Sequence, residues 1–224
     1  CTQISHLPDG RTRDHFPDGR TDDCDILIAA YGASSKLRAQ LRPDDVLQFT
    51  GIVCISGTAT FPEGEIPWPV DADRGGVVGG EGIGLFVSPV DTTRALWSIS
   101  YSSATPRESL RHPIPEGEVS SILDEALEKG KVFREPFPSL VRGTDPTTLM
   151  VLNAMDKQPF PHKPTNTTGE SGSKPQVGPI FIGDANHAVS PFAGNGANMA
   201  LLDGWDLAEE LIKNASMESA LKAY

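Results

Sequence analysis

Apolar positions in this chain change texture several times. The run Ile180-Phe-Ile182 is too short for a helix and ends at Gly183-Asp184, which predicts a short buried strand. A loop punctuated by Pro191 follows. The turn Gly194-Asn195-Gly196 then opens a helix that runs to about Leu211, with Met199, Leu202, Leu207 and Leu211 apolar. Nearer the start, an acidic lead-in from Asp22 to Asp25 gives way to the continuous apolar run Ile26 to Ala30. Cys24 to Ala30 is expected to form a buried strand of an α/β sheet. Ahead of it, Pro8-Asp-Gly-Arg-Thr12 recurs as Pro17-Asp-Gly-Arg-Thr21. Each Asp-Gly is a turn signal, so this region reads as a small hairpin feeding the strand.

From about Val46 the pattern turns to strands. Phe49 to Ser56 is rich in β-branched residues. Leu85 to Val90 and Arg94 to Tyr101 flank a turn at Asp91–Thr93. In the second of them Ala95, Trp97, Ile99 and Tyr101 share one face, and Leu96, Ser98 and Ser100 the other, the mark of a half-buried antiparallel hairpin. The stretch Gly75 to Gly84 reads as a flexible hairpin loop. A helix follows: Ser121-x-x-Asp124 offers a capping pattern, Ile122, Leu123, Ala126 and Leu127 form the stripe, and Gly130 ends it. Pro159 to Pro179 is rich in Pro, Gly, Ser, Thr and Lys and predicts a plain flexible insertion.

Composition narrows the class. The 224 residues suffice for one large domain or two small ones, and the formal charge of −11 argues against nucleic acid and anionic membrane surfaces as partners. Cys1, Cys24 and Cys54 lack metal-ligand spacing and suggest reduced thiols in a cytoplasmic setting. No run approaches membrane-spanning length. The sequons at Asn166 and Asn214 read as chance matches. Neither a nucleophile elbow, a His-Glu-x-x-His nor a Cys-x-x-Cys is present, and no metal site is expected.

The chemistry concentrates after Ile182. Glycines let a ligand approach the backbone closely, and free N–H groups at a helix start attract negative charge. A carboxylate at a strand end can accept hydrogen bonds from a chain of hydroxyls. Gly183, Asp184, Ala185, His187, Pro191, Gly194, Gly196, Asn198 and Asp203 stand in the order and spacing of the second flavin-contacting motif of the class A FAD-dependent monooxygenases, the aromatic hydroxylase family, which this chain resembles. Asn186 replaces a usual small Ala. Tyr31 to Arg38 is similar to the family's Asp-Gly loop: Gly32, Ser35 and Arg38 fit, and Tyr31 stands where Asp is usual. The ending Ser35-Lys-Leu-Arg38 resembles that of the tetracycline-inactivating monooxygenases.

The resemblance implies FAD as cofactor, with Asp184 on the ribityl hydroxyls. Pro191, Gly194, Gly196, Ala197 and Asn198 would line the isoalloxazine and pyrophosphate side, and Arg38 would make a phosphate-side contact. His187 is expected to satisfy a backbone hydrogen bond rather than act as a base, and Asn195 and Asn198 are also capping candidates. Glu81, Trp97 and Tyr101 are candidates to face a substrate pocket; the alternative places the two aromatics in the sheet core and Glu81 in solvent. The implied fold is α/β, of the Rossmann-like aromatic hydroxylase type. Residues 1–45 and 180–224 would belong to the FAD-binding domain, 46–157 to a β-rich substrate domain and 158–179 to a flexible loop.

The implied reaction is insertion of one oxygen atom from O2 into an aromatic or polyketide-like small molecule, with NADPH or NADH as reductant and a place in secondary metabolism. No Gly-x-Gly-x-x-Gly unit precedes these motifs, so the fold is expected to be incomplete at its N-terminus. The second expectation is therefore a truncated, non-catalytic remnant or binding module that cannot hold FAD alone. An incomplete parallel sheet also predicts self-association.

Overall fold

The computed structural model describes residues 1, 3–63, 65–70, 74–108, 110, 112–160 and 178–224. Most of the insertion expected over 158–179, and Asn166 with it, lies outside the described residues. The chain divides into two compact units, one built from 1–48 with 155–224 and one from 49–154.

The first unit begins with an antiparallel meander of β1 (Gln3–His6), β2 (Thr12–His15) and β3 (Thr21–Cys24). The repeated pentapeptides build its two turns in the same way. Gly10 and Gly19 sit at φ 92° and 83°, where a side chain would be strained, and Asp9 and Asp18 each accept from the amide two residues on, at 3.1 Å. Arg13 and Asp23 face each other across β2 and β3 in a two-pronged ion pair of 2.6 and 2.8 Å.

This corrects the expected strand from Cys24 to Ala30. The acidic residues finish the meander, and the chain then changes partner. Only β4 (Ile28–Ala29) joins the parallel pair that makes this unit α/β. Helix α1 (Lys36–Leu41) follows, with Ser35 as its cap, accepting from Arg38 N at 3.2 Å.

The second unit is built on one sheet. Its strands are β5 (Gln48–Thr60), β6 (Gly76–Gly80), β7 (Ile83–Pro89) and β8 (Arg94–Ser102). Two helices, α2 (Glu116–Lys129) and α3 (Phe137–Arg142), precede β9 (Met150–Asp156), and the sheet order is β6-β7-β8-β5-β9. The alternation of β8 is observed as burial of Ala95, Trp97, Ile99 and Tyr101. These pack with Val53 and Ile55 of β5, Ile122 and Ala126 of α2, and Phe137 and Leu140 of α3.

Two expectations change here. Gly76 to Gly80 is a strand and not a loop, because backbone pairing with Ile83–Val87 needs no side chains. Helix α2 starts five residues before Ser121, at a Pro115 cap, and the Ser121 hydroxyl donates back to the Glu118 carbonyl. Gly130 does end it, and the Phe137 ring lies where a Gly130 side chain would go.

The chain returns to the first unit through β10 (Ile180–Phe181), parallel to β4, the short helix α4 (Asp184–His187), the long helix α5 (Gly196–Lys213) and α6 (Met217–Ala223). Ala29, Leu37, Phe160, Phe181 and Ala185 form one small core in this unit. Ile180, Leu207 and Leu221 form another.

Candidate functional site

The site grows from the end of β10. Ile180 and Phe181 are held in register by the Ile180 amide on the Leu27 carbonyl (2.9 Å), and the strand must stop at Gly183. This residue has φ 57° and ψ −143°, a conformation essentially reserved for glycine. A Cβ there would also stand 3.0 Å from the Ala200 methyl of α5, so strand end and helix pack too closely for a side chain to enter unless its neighbour gives way. Its amide is held by Asp203 Oδ2 of α5 at 2.6 Å, and the same oxygen accepts from His187 Nε2 at 2.5 Å. One carboxylate thereby ties both ends of α4 to α5. The expected backbone partner of His187 is replaced by this side chain.

A cavity of about 660 Å³ opens at this point. Ala30 and Gly32 after β4 form one wall, Ile182 to Asp184 a second, Val189 to Pro191 a third, and Gly194, Gly196, Ala197 and Ala200 the fourth. Gly194 takes φ 65° at the end of a one-turn 3-10 helix, its amide on the Pro191 carbonyl at 3.2 Å, and this turns the chain into α5. The Asn195 side chain makes no cap bond, so the first amides of α5 lack the partner such a residue usually supplies. An eighteen-residue helix therefore points its positive end at this loop.

Asp184, Pro191, Gly194, Gly196 and Ala197 thus surround one cavity, while Asn198 is exposed and does not line it. Arg38 has a different occupation from the phosphate contact expected of it. Its side chain is buried and donates to the Ala33 (2.5 Å), Asp184 (3.3 Å) and Ala185 (3.0 Å) carbonyls.

In the second unit, Trp97 is fully buried, donates to Thr144 Oγ1 at 2.8 Å and meets Phe137 edge to face. Tyr101 is buried too and donates to Glu125 Oε1 at 2.7 Å. Desolvation, reinforced by that carboxylate, pushes its phenol up to about 12. Glu81 is exposed on the β6–β7 turn at φ 53°. The sheet-core alternative describes both aromatics.

Four residues have tasks that the sequence does not announce. Asp203 was noted as part of the motif without a task; its place in the stripe Ala200, Asp203, Leu207 was the signal, since a carboxylate on a packed helix face needs a partner. The Asn186 carboxamide, which stands where a small Ala is usual, accepts from Phe160 N at 3.0 Å. Lys157 and Asp45 form a buried ion pair of 3.1 Å that no spacing announces.

Polar demand and space in the cavity fit the ribityl and ring portions of FAD. Asp184 offers a carboxylate, the glycines offer close approach, and the start of α5 offers amides and a favourable dipole. Fold and site together have the form of an α/β domain of the aromatic hydroxylase type.

Comparison with known proteins agrees. Residues 147–224 match the family described as FAD binding domain. The whole chain is 38% identical to "Monooxygenase cfoF" of Aspergillus candidus and covers 52% of it. HpxO of Klebsiella pneumoniae, solved with FAD and uric acid, superposes over 99% of this chain and 51% of its own at a TM-score of 0.75 and 21% identity. Tetracycline destructase Tet(55) does so over 98% and 53%, with a TM-score of 0.65 and 20% identity. The chain is a relative of the class A flavin monooxygenases, and it spans about half the length of the curated relatives it matches.

Proposed function

We propose that this chain supplies the ribityl and ring end of an FAD site in a monooxygenase. The enzyme is reduced by NADPH or NADH and inserts one oxygen atom from O2 into an aromatic or polyketide-like small molecule. The observation that carries the reading is the cavity in which Asp184, the glycine walls and the start of α5 converge. The 38% identity with a fungal monooxygenase over the length of this chain supports the reaction class. A cytoplasmic setting and a place in secondary metabolism complete the proposal.

Bound FAD would supply the redox and oxygen chemistry. The chain's own residues have simpler tasks. Asp184 accepts hydrogen bonds from hydroxyls, Gly183 and Gly196 admit the ligand to the backbone, and the α5 amides favour negative charge beside them. No side chain is assigned to proton transfer.

A second reading is favoured by one observation. Among the described residues that line the cavity none is basic, and the Arg38 guanidinium is spent on carbonyls. The chain would then be a non-catalytic module of that family, unable to hold FAD alone. Titration of the purified chain with FAD, followed by flavin fluorescence and visible absorbance, separates the two. Saturable binding that is lost in Asp184→Ala supports the FAD site. A folded chain that leaves flavin fluorescence unchanged supports the module.

A further inference from the structure

Helix α4 is a single turn, so the carbonyls of Asp184, Ala185 and Asn186 have no partner further along it. In a buried turn such groups must be satisfied from elsewhere. Two buried cations do this. Arg38 Nη1 donates to the Asp184 and Ala185 carbonyls at 3.3 and 3.0 Å, and Lys157 Nζ donates to the Asn186 carbonyl. Lys157 adds its own amide to the Ala188 carbonyl at 2.9 Å. Asp45 lies between the two cations, 3.1 Å from Lys157 Nζ and 4.0 Å from Arg38 Nε. The Lys157 side chain is 2% exposed and that of Arg38 6%. Phe160 shields the cluster: Arg42 stacks on its ring 3.6 Å from the centroid, and Lys157 Nζ stands 4.7 Å from the same centroid.

We propose that Arg38, Lys157 and Asp45 form a carbonyl clamp that positions Asp184 for its ligand. They are positioning residues, acting through the backbone of α4 and not by touching the ligand. The clamp holds three consecutive carbonyls on side chains that do not line the cavity, while Asp184, the first of those residues, does line it. This inference rests on the proposed FAD site for its ligand but not for its geometry.

Amide hydrogen exchange and FAD binding, measured on the full chain in wild type, Lys157→Met, Lys157→Arg and Arg38→Lys, test it. Thermal denaturation of each variant checks that it remains folded; Lys157→Arg and Arg38→Lys keep the charge should Lys157→Met fail to fold. Expected in Lys157→Met is exchange roughly tenfold faster over residues 183–190, with strands β5 to β8 unchanged. FAD is expected to bind roughly tenfold more weakly, with a shifted visible absorption band at saturation. Lys157→Arg should restore all three. Unchanged exchange over 183–190 overturns the clamp, and so does faster exchange with wild-type FAD affinity and spectrum. If the wild type itself binds no FAD, the proposed function fails, and exchange alone then decides for or against the clamp.

Discussion

Asp203 reaches across from α5 to His187 at 2.5 Å, and the same oxygen takes the Gly183 amide at 2.6 Å. One carboxylate therefore fixes the register between a strand end and the helix beside it. Asp203→Ala removes the acceptor and leaves a buried amide and a buried imidazole without it. The expected loss is about 1–3 kcal/mol, read from urea denaturation. An unchanged denaturation midpoint would mean that water replaces the carboxylate at no cost.

Gly183→Ala tests the same junction from the other side. The new methyl meets Ala200 at 3.0 Å in a backbone conformation that side chains avoid. Destabilisation of about 1–3 kcal/mol is expected, together with weaker FAD binding. Gly76→Ala is the control: a Cβ there meets nothing within 4 Å, so it should leave both quantities nearly untouched.

Two tyrosines should titrate late. Burial and then Glu125 raise Tyr101 to about 12; burial, Asp203 and Asp206 raise Tyr224 to about 12. The unfolded chain releases these protons near 10. Above that pH it binds fewer protons than the folded state, so stability falls as pH rises. The contribution is complete below about pH 10 and is lost between about 10 and 12. Ultraviolet titration of tyrosinate in the folded chain should show both late steps. Glu125→Gln should move the Tyr101 step down and leave Tyr224 in place.

Helix α5 carries an apolar stripe in solvent. Leu201, Trp205 and Ile212 are 75%, 69% and 83% exposed and fall on one helical face. Self-association at micromolar concentration is the expected outcome for this chain. Trp205→Glu combined with Ile212→Glu should shift sedimentation toward the monomer. A clean wild-type monomer would contradict the expectation.

The fold class was legible because its signals are local. Ile180 to Gly183 and the alternation of Ala95, Trp97, Ile99 and Tyr101 announce strands whatever surrounds them. Gly183 and the turn Gly194-Asn195-Gly196 betray special backbone without any structure. What escaped depends on residues far apart in sequence. Lys157 meets Asn186 only after folding, and Arg38 gave the same sequence signal for a phosphate contact as for the carbonyls it holds. The strand Gly76–Gly80 escaped for another reason: glycines carry no side-chain pattern from which to read a face.

The parallel pair of β4 and β10 joins residues roughly 150 apart in sequence, a costly closure for a flexible chain. The contiguous unit 49–154 removes much of that cost if it forms first. Its own ends meet, with the Thr50 hydroxyl on the Ala154 carbonyl at 3.0 Å. Once they do, the loop left to close shrinks to roughly 50 residues, which saves about 1 kcal/mol of chain entropy. The inserted sheet then acts as a splint during folding: it holds together the two halves of a cofactor-type domain that the gene keeps apart.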